Sequence, residues 1–130
     1  FALTTIDQRA KLFAAAGADA ILIFHFDATL AALSAEDFVS ERIAARTGAT
    51  AVVTGQDFTF GKARGGDVNR LAVFAAAHGI AAERVSPVAD DDGPISSSRI
   101  RDALRAGDCA TATALLGRRS GREACCHAGL

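Results

Sequence analysis

The chain of 130 residues contains no methionine, so it has no initiator residue, and Phe1 leads directly into a helix signal. We therefore expect it to be an internal or truncated piece of a longer protein. It also lacks an apolar run long enough to cross a membrane, and it does not open with the charged, apolar and small-residue pattern of a secretion signal. These absences predict a cytoplasmic protein with no membrane partner.

An excess of charge of either sign is missing too, since 14 basic and 15 acidic residues give a formal net charge of −1. Such a chain has no global field to recruit nucleic acid, so any phosphate ligand must be held locally. Cysteine is scarce: Cys109, Cys125 and Cys126 are an odd number and form no disulfide framework, which predicts reduced thiols. The length, with half of the residues hydrophobic, predicts one globular domain.

Apolar runs typical of buried strands alternate along the chain with helical patterns that end at glycine. Strands are predicted at 20–26, 51–54 and 84–88, and the acidic run 90–92 is predicted to lie in a turn. Helices are predicted to begin near Thr5, Ser34, Asp67, Ser97 and Asp108, and to end near Gly17, Gly48, Gly79, Gly107 and Gly117. This alternation predicts an α/β fold with a parallel sheet flanked by helices, whose ligands bind beyond the carboxyl ends of the strands.

One distinctive segment is the glycine-bounded turn 55–61, with the sequence GQDFTFG, which we call the aromatic turn. It carries the carboxylate of Asp57 and the rings of Phe58 and Phe60. An aromatic face stacks on a flat ligand with about 0.5 to 1.5 kcal/mol beyond burial, and the flanking glycines allow close approach. Two rings at alternate positions also fit the core side of a strand extension, so the sequence leaves both interpretations open.

A second segment is ISSSRIR at 95–101, which has the pattern of a helix start. Free backbone N–H groups and the helix dipole attract anions there. Ser97 or Ser98 is predicted to be the N-cap, and Arg101, one turn further on the same face, is predicted to reach an anion at the cap. Arg99 points elsewhere and is predicted to be a solvated surface residue. The acidic run 90–92 is interpreted as a solvated turn rather than a metal site.

Together, GQDFTFGKARGG and ISSSRIR resemble the FMN adenylyltransferase (FAD synthetase) module of prokaryotic bifunctional riboflavin kinase/FAD synthetases, whose pattern is close to G-x-D-F-x-F-G-x-x-R-x-G followed by S-S-T-x-I-R. The resemblance covers residues 3 to about 118. It implies a Rossmann-like nucleotidylyltransferase fold whose first strand is missing from this chain, with a partial domain at 1–118. Residues 119–130 have no periodicity and depart from the family, so we expect an atypical, disordered tail.

The reaction that the resemblance implies is the transfer of AMP from ATP, bound with Mg²⁺, to FMN, which gives FAD and pyrophosphate. By position in the matching motifs, the residues expected to bind flavin are Gly55, Asp57, Phe58 and Phe60. Those expected to bind the phosphates of ATP are Ser97, Ser98, Arg101 and Arg64. No catalytic residue is assigned and no protein metal ligand is expected. The resemblance also implies a riboflavin kinase domain on the C-terminal side in the full-length protein.

The family also carries an H-x-G-H element that binds ATP, and none of His25, His78 and His127 reproduces it. We therefore expect the chain to hold only part of a catalytic site and to be inactive in isolation. Two other functions stay open. One is a non-catalytic remnant that binds flavin or nucleotide, and the other is a related nucleotidylyltransferase, for example one acting on pantetheine phosphate. The run 57–61 argues against the second.

Overall fold

The computed structural model describes residues 1–117 and divides the chain into two compact units. The first unit consists of Phe1–Ile23 together with the residues from Val88 onward, and the second unit is Phe24–Pro87. The predicted tail, 119–130, lies outside the described residues, so the domain boundary near residue 118 stays a prediction. None of the helices in residues 1–117 has the length and apolar character needed to span a bilayer.

The helices, in chain order, are α1 (Ile6–Ala15), α2 (Ala28–Ala32), α3 (Ala35–Asp37), α4 (Ala45–Thr47), α5 (Val68–Ala77), α6 (Ser97–Arg105) and α7 (Cys109–Leu116). A π-helical stretch, Phe38–Ala44, joins α3 to α4, and a short 3-10 turn, Lys62–Arg64, precedes α5. The strands are β1 (Ala51–Gly55), β2 (Ala81–Val85), β3 (Ala89–Asp90) and β4 (Gly93–Pro94).

The predicted helix ends are confirmed by their capping groups. The Thr5 side chain accepts a hydrogen bond from the Gln8 amide, and the Gln8 side chain accepts one from the Thr5 amide, which closes the capping box of α1. Asp67 caps α5 by accepting from the Asn69 and Arg70 amides, and Asp108 caps α7 by accepting from the Thr111 amide. Gly117 ends α7 in the left-handed conformation that glycine adopts without strain.

The second unit is built on a β–α–β arrangement. β1 and β2 pair in parallel, with Ala51 opposite Ala81, so the chain must cross over between them, and α5 makes that crossover. Leu71 of α5, only 1% exposed, packs in a core with Ala35, Val39 and Phe60. The predicted α/β class, with a parallel sheet flanked by helices, is confirmed.

Within residues 1–117, the parallel pair has only two strands, and the second edge of β1 has no partner. Val52 and Thr54 are half-buried, whereas Ala51, Val53 and Gly55 are exposed. One face of the pair therefore packs on the unit's core while the other face stays open in the described part of the chain.

The prediction of a strand at 20–26 was wrong. This run is irregular, and its apolar side chains are exposed, with Phe26 at 83%. A strand needs a neighbour to bond its backbone N–H and C=O groups, and none of the strands in the described residues pairs with this run. Apolar composition alone therefore does not make a strand.

The strand predicted at 84–88 is present but begins three residues earlier, as β2. Its first residue, Ala81, donates its amide to the Thr50 carbonyl at 2.9 Å, so the pairing starts as soon as the turn after α5 is complete. Pro87 has no N–H to donate, which disfavours continuation of the ladder.

The first unit contains a short antiparallel hairpin and a pair of helices. β3 and β4 pair across the acidic residues Asp91 and Asp92, which confirms the predicted turn. The helices α6 and α7 then pack through Ile100, Leu104 and Ala112.

Candidate functional site

The aromatic turn begins where β1 ends. The Gln56 amide donates to the Val85 carbonyl at 3.1 Å, and the Phe58 amide donates to the Gly55 carbonyl at 3.1 Å. A Cβ atom on Gly55 would lie 3.0 Å from Oδ1 of Asp57, so the Asp57 carboxylate folds back over the end of the strand. Asp57 is exposed. The turn thus presents a carboxylate at the carboxyl end of β1, which is the edge where parallel sheets bind ligands.

The two rings of the aromatic turn have different environments. Phe58 and Phe60 stack with centroids 5.4 Å apart and an interplanar angle of 14°, and Phe38 packs on Phe60 at 5.6 Å with a 45° tilt. Phe60 is 6% exposed, whereas Phe58 is half-buried. Phe60 therefore belongs to the core and supports Phe58, whose ring keeps the larger exposed surface. Flavin contact by either ring stays a prediction.

The loop after Phe60 is closed at its base. Phe60 and Gly66 exchange two backbone hydrogen bonds of 3.0 and 2.9 Å, and the Lys62 amide donates to the Leu33 carbonyl at 2.7 Å. Arg64 lies in the 3-10 turn within this loop, exposed, with φ +55°. The structure thus fixes the backbone that carries Arg64, and phosphate binding by its side chain stays a prediction.

The segment 95–101, which we call the serine segment, forms the start of α6, but the N-cap of this helix is not the predicted residue. Ser96 is the N-cap, with an extended backbone, and its Oγ accepts from the Arg99 amide at 3.3 Å. The prediction that Ser97 or Ser98 caps the helix was therefore wrong by one or two residues. Ser97 and Ser98 occupy the first two helical positions and are exposed. Their amides lie at the end of the helix, where N–H groups have no partner within the helix.

Arg101 lies one turn into α6 and is half-buried. Its Nε donates to the Phe1 carbonyl at 2.9 Å. This bond uses one donor of the guanidinium, and the terminal nitrogens carry the fork that pairs with phosphate. A phosphate-binding role for Arg101 stays a prediction.

Arg99 was predicted to be a solvated surface residue, and this was wrong. Its Nη1 and Nη2 atoms donate to the two carboxylate oxygens of Asp90 at 2.8 and 3.0 Å, and Nη1 also donates to the carbonyls of Gly93 and Pro94 at 2.9 and 3.2 Å. Asp92 lies 3.8 Å from Nη2. The Arg99 side chain is 27% exposed. We call these contacts the Arg99 clamp.

The clamp also shifts the protonation of its members. Hydrogen bonds from the Arg99 guanidinium hold the pKa of the Asp90 carboxyl below its usual range, and the Asp92 amide, which donates to Asp90 at 3.1 Å, adds to the effect. The same pairing raises the pKa of Arg99. The interpretation of 90–92 as a solvated turn therefore holds for Asp92, whose side chain is 90% exposed, but not for Asp90, which lies in β3 and bonds Arg99 at the helix start.

Sequence reasoning missed two roles in this region: Ser96 as the N-cap of α6 and Asp90 as the partner of Arg99. The dipeptide Asp92-Gly93 is a hairpin signal, and it would have placed β3 beside β4. That pairing brings Asp90 toward the residues that follow β4. The choice of Arg99 as its partner depends on side-chain geometry nine residues away, which no local pattern contains.

Nowhere in residues 1–117 do three histidine, cysteine, aspartate or glutamate side chains converge as metal ligands do. Asp90 and Asp92 face Arg99 instead, so this acidic run does not fit Mg²⁺. A cavity of about 70 Å³ lies between β1, β2 and α5, with Thr54 and Leu71 in its wall. Pockets for drug-sized ligands are roughly 300 to 1,000 Å³, so this cavity does not fit a flavin or a nucleotide.

Comparison with known proteins identifies the family. A family model described as FAD synthetase matches residues 1–99. The bifunctional riboflavin kinase/FMN adenylyltransferase of Escherichia coli (strain K12) is 30% identical over 115 residues, covering 88% of this chain and 37% of that protein. The putative bifunctional riboflavin kinase/FMN adenylyltransferase of Geobacillus thermodenitrificans (strain NG80-2) is 35% identical over 116 residues, covering 88% of this chain and 61% of that protein.

Among solved structures, a crystal structure of a macrolide-efflux protein from Streptococcus pneumoniae matches with a TM-score of 0.80 and 30% sequence identity, covering 89% of this chain and 36% of that chain. The chain thus spans between about a third and two thirds of the length of these three proteins. The family match contains the whole aromatic turn and the serines at the start of α6. The chain belongs to the FAD synthetase family, which has a Rossmann-like nucleotidyltransferase fold.

Proposed function

We propose that this chain supplies part of an FMN adenylyltransferase site, which transfers AMP from ATP to FMN and releases FAD and pyrophosphate. The observation that carries the proposal is the family match over residues 1–99, which includes the whole aromatic turn and residues 95–99 of the second distinctive segment. The aromatic turn lies at the carboxyl end of a parallel strand, and the serine segment opens a helix of nine residues. These are the places where α/β proteins bind rings and phosphates.

The aromatic turn would bind the flavin of FMN. The exposed part of the Phe58 ring would stack on the flavin ring system. Phe60 packs against the Phe58 ring, with the two centroids 5.4 Å apart. The Asp57 carboxylate, exposed over the strand end, accepts hydrogen bonds from N–H or O–H groups of the ligand. Gly55 leaves space for that carboxylate, because a Cβ there would lie 3.0 Å from its oxygen.

The serine segment would bind phosphate. The amides and hydroxyls of Ser97 and Ser98 donate hydrogen bonds to phosphate oxygens, and Arg101 and Arg64 add guanidinium charge. In the reaction, a phosphate oxygen of FMN attacks the α-phosphorus of ATP, and the bond from that phosphorus to the pyrophosphate oxygen breaks. These side chains position the two anions and balance the charge that develops, so no protein nucleophile is required.

Mg²⁺ would enter with ATP. The described residues include no carboxylate cluster that fits the ion, so the proposal assigns it no protein ligand. The E. coli and Geobacillus relatives carry riboflavin kinase in their names, and we propose a kinase domain in the same polypeptide as this chain, acting in the cytoplasm.

The isolated chain should not synthesise FAD. None of its three histidines lies in an H-x-G-H element, and the histidines of that element would stabilise the charge on the ATP phosphates. FAD formation from FMN and MgATP, followed by chromatography, should equal the control without protein. Turnover clearly above that control would contradict the proposal that this chain supplies only part of the adenylyltransferase site.

Binding by the chain itself tests the assignment of the two segments. We expect Arg101→Ala to weaken pyrophosphate binding by about tenfold or more, as for the loss of a charged hydrogen bond of about 1.5 to 3 kcal/mol, and to leave FMN binding unchanged. Calorimetry measures the first affinity and flavin fluorescence the second. Arg105→Ala is the matched control, because Arg105 lies in the last turn of the same helix, paired with Asp102 at 2.7 Å. Equal losses for both ligands would contradict the assignment.

A further inference from the structure

The Arg99 clamp joins two elements that the chain places side by side. Arg99 lies in the first turn of α6, and its four hydrogen-bond contacts all go to the hairpin segment 90–94. The four acceptor oxygens belong to three residues: two are in the Asp90 carboxylate, and the others are the carbonyls of Gly93 and Pro94. A planar guanidinium that bonds a carboxylate at two points and two carbonyls as well fixes both the distance and the angle between the helix start and the hairpin.

The residues between the hairpin and the helix are held at both ends. The Ile95 amide donates to the Val88 carbonyl at 2.8 Å, which continues the hairpin pairing by one step. On the other side, Ser96 accepts from the Arg99 amide and caps the helix. Ser97 and Ser98 follow Ser96 as the first two residues of α6, directly before Arg99, so their orientation depends on the backbone that Arg99 fastens to the hairpin.

We propose that Arg99 is a positioning residue for phosphate binding, because it fastens the first turn of α6 to the hairpin and so orients the Ser97 and Ser98 amides toward the ligand. This inference rests on the proposed function. In this proposal Arg99 does not bind the phosphate itself: both of its terminal nitrogens bond the Asp90 carboxylate, Nη1 also bonds two carbonyls, and Asp90 and Asp92 balance its charge. The helix start is thereby ordered before the ligand arrives, which lowers the entropic cost of binding.

The test is a calorimetric titration of the 130-residue chain with inorganic pyrophosphate. We expect Arg99→Ala and Asp90→Asn each to weaken binding by roughly three- to tenfold, and the double variant to be no weaker than Arg99→Ala alone, because coupled residues act as one unit. Arg99→Lys should recover part of the loss, since lysine keeps the charge but not the fork. Arg105→Ala is the control. It also removes an arginine of α6 that has an ion pair, but from the last turn of the helix, so this variant should bind as the parent chain does.

A second measurement needs no ligand. The groups that face the Arg99 guanidinium are the carboxylates of Asp90 and Asp92 and the carbonyls of Gly93 and Pro94. Because the folded state lowers the pKa of Asp90, the clamp is complete above the ordinary carboxyl pKa and is lost as the pH falls through the lowered value. The NMR amide signals of Ser97 and Ser98 should follow this acid titration in the parent chain and lose that step in Asp90→Asn.

The possible results separate the two claims. If the parent chain binds pyrophosphate and Arg99→Ala binds it equally well, the inference about Arg99 is wrong and the phosphate site stands. If Arg99→Ala weakens binding while the Ser97 and Ser98 signals of the free chain stay in place, Arg99 acts as a direct ligand, which also overturns the inference. If the parent chain does not bind pyrophosphate at all, the proposed phosphate site fails and the role of Arg99 falls with it.

Discussion

The ring of Phe60 lies between Phe38 and Phe58, buried beside Ala35, Val39 and Leu71. A ring in this position contributes to the core first, and it acts on a ligand only through the neighbour that it supports. Phe58 has the opposite balance, because it is stacked on one side and partly open to solvent. The pattern of alternate aromatic residues therefore divides into one structural ring and one candidate contact ring.

We predict that Phe60→Leu lowers the melting temperature by several degrees, since a loss of about 1 kcal/mol shifts a domain of this size by roughly 4 to 8 °C. Leucine fills apolar space but gives up both ring contacts. Phe58→Leu, the matched variant, should change the melting temperature less and FMN affinity more. Thermal circular dichroism and flavin fluorescence on both proteins decide the matter. The reverse pattern would show that Phe60, not Phe58, is the contact ring.

For single residues, the sequence predicts which side chains have the chemistry to bind a ligand. It does not predict which of those side chains already bond to another part of the protein. The expectations for Asp57, Ser97 and Ser98 need only exposure near an element end, and the structure has all three exposed. Arg99 was misjudged because its environment comes from Asp90, nine residues earlier in the chain. Helical spacing indicates the direction of a side chain, and the neighbouring element decides what it meets.

Among the elements, the loop closed by Phe60 and Gly66 depends on glycine for close packing. A Cβ atom on Gly61 would lie 2.7 Å from the backbone of Ala35, and one on Gly66 would lie 2.7 Å from the Phe60 ring. Gly61 also has φ +74°. The loop that carries Arg64 thus lies directly against the start of α3, where no side chain fits between them.

We predict that Gly61→Ala destabilises the chain more than Gly79→Ala does. Both glycines have similar positive φ values, +74° and +70°, so each variant loses about 1 kcal/mol or slightly more from backbone strain. Only Gly61 has backbone atoms in the way, which adds about 1 to 3 kcal/mol. Urea denaturation measures the difference. Equal losses would mean that the loop moves away from α3 at little cost.

Element prediction succeeded where the stabilising contacts are local. The caps at Thr5, Asp67 and Asp108 bond to amides two or three residues away, so the sequence contains both partners. Strands bond to partners that are remote in sequence, and this explains the failure at 20–26 and the shift of β2. The short helix α2 was also missed. Its N-cap, Asp27, directly follows the run that was predicted as a strand, and it accepts from the Leu30 amide at 2.8 Å.

For the whole molecule, the fold class of the structure agrees with the family. The length of the chain relative to its relatives decides which activities can be tested on it. It spans 37% of the E. coli relative and 61% of the Geobacillus relative, so complete turnover is a property to be tested on longer polypeptides. Both the aromatic turn and the serine segment follow strands, and parallel sheets bind ligands beyond the carboxyl ends of their strands, so the sequence predicts that the two segments meet at one rim of the sheet. They belong to different units, and their meeting stays a prediction.

Within residues 1–117 one edge of β1 is open, and this has a consequence for the behaviour of the chain at high concentration. The bonds from the Ala81 amide to Thr50 and from the Gln56 amide to Val85 show that alternate residues of this strand face β2. Ala51 and Val53 therefore direct their N–H and C=O groups to the other side. β1 has no charge or proline, the residues that usually prevent such edges from pairing with other chains, so concentrated samples should aggregate through added strands.

We predict that Val53→Lys slows this aggregation, because it places a charge at the centre of the edge. Val73→Lys is the control, since Val73 is similarly exposed, at 67% against 56% for Val53, but lies on α5. Light scattering over time at matched concentrations measures the effect, and equal protection by both variants would attribute it to net charge instead. If the edge is responsible, the working concentration of this chain is limited by self-templated strand pairing of natively folded molecules, and a single lysine shifts that limit without stabilising the fold.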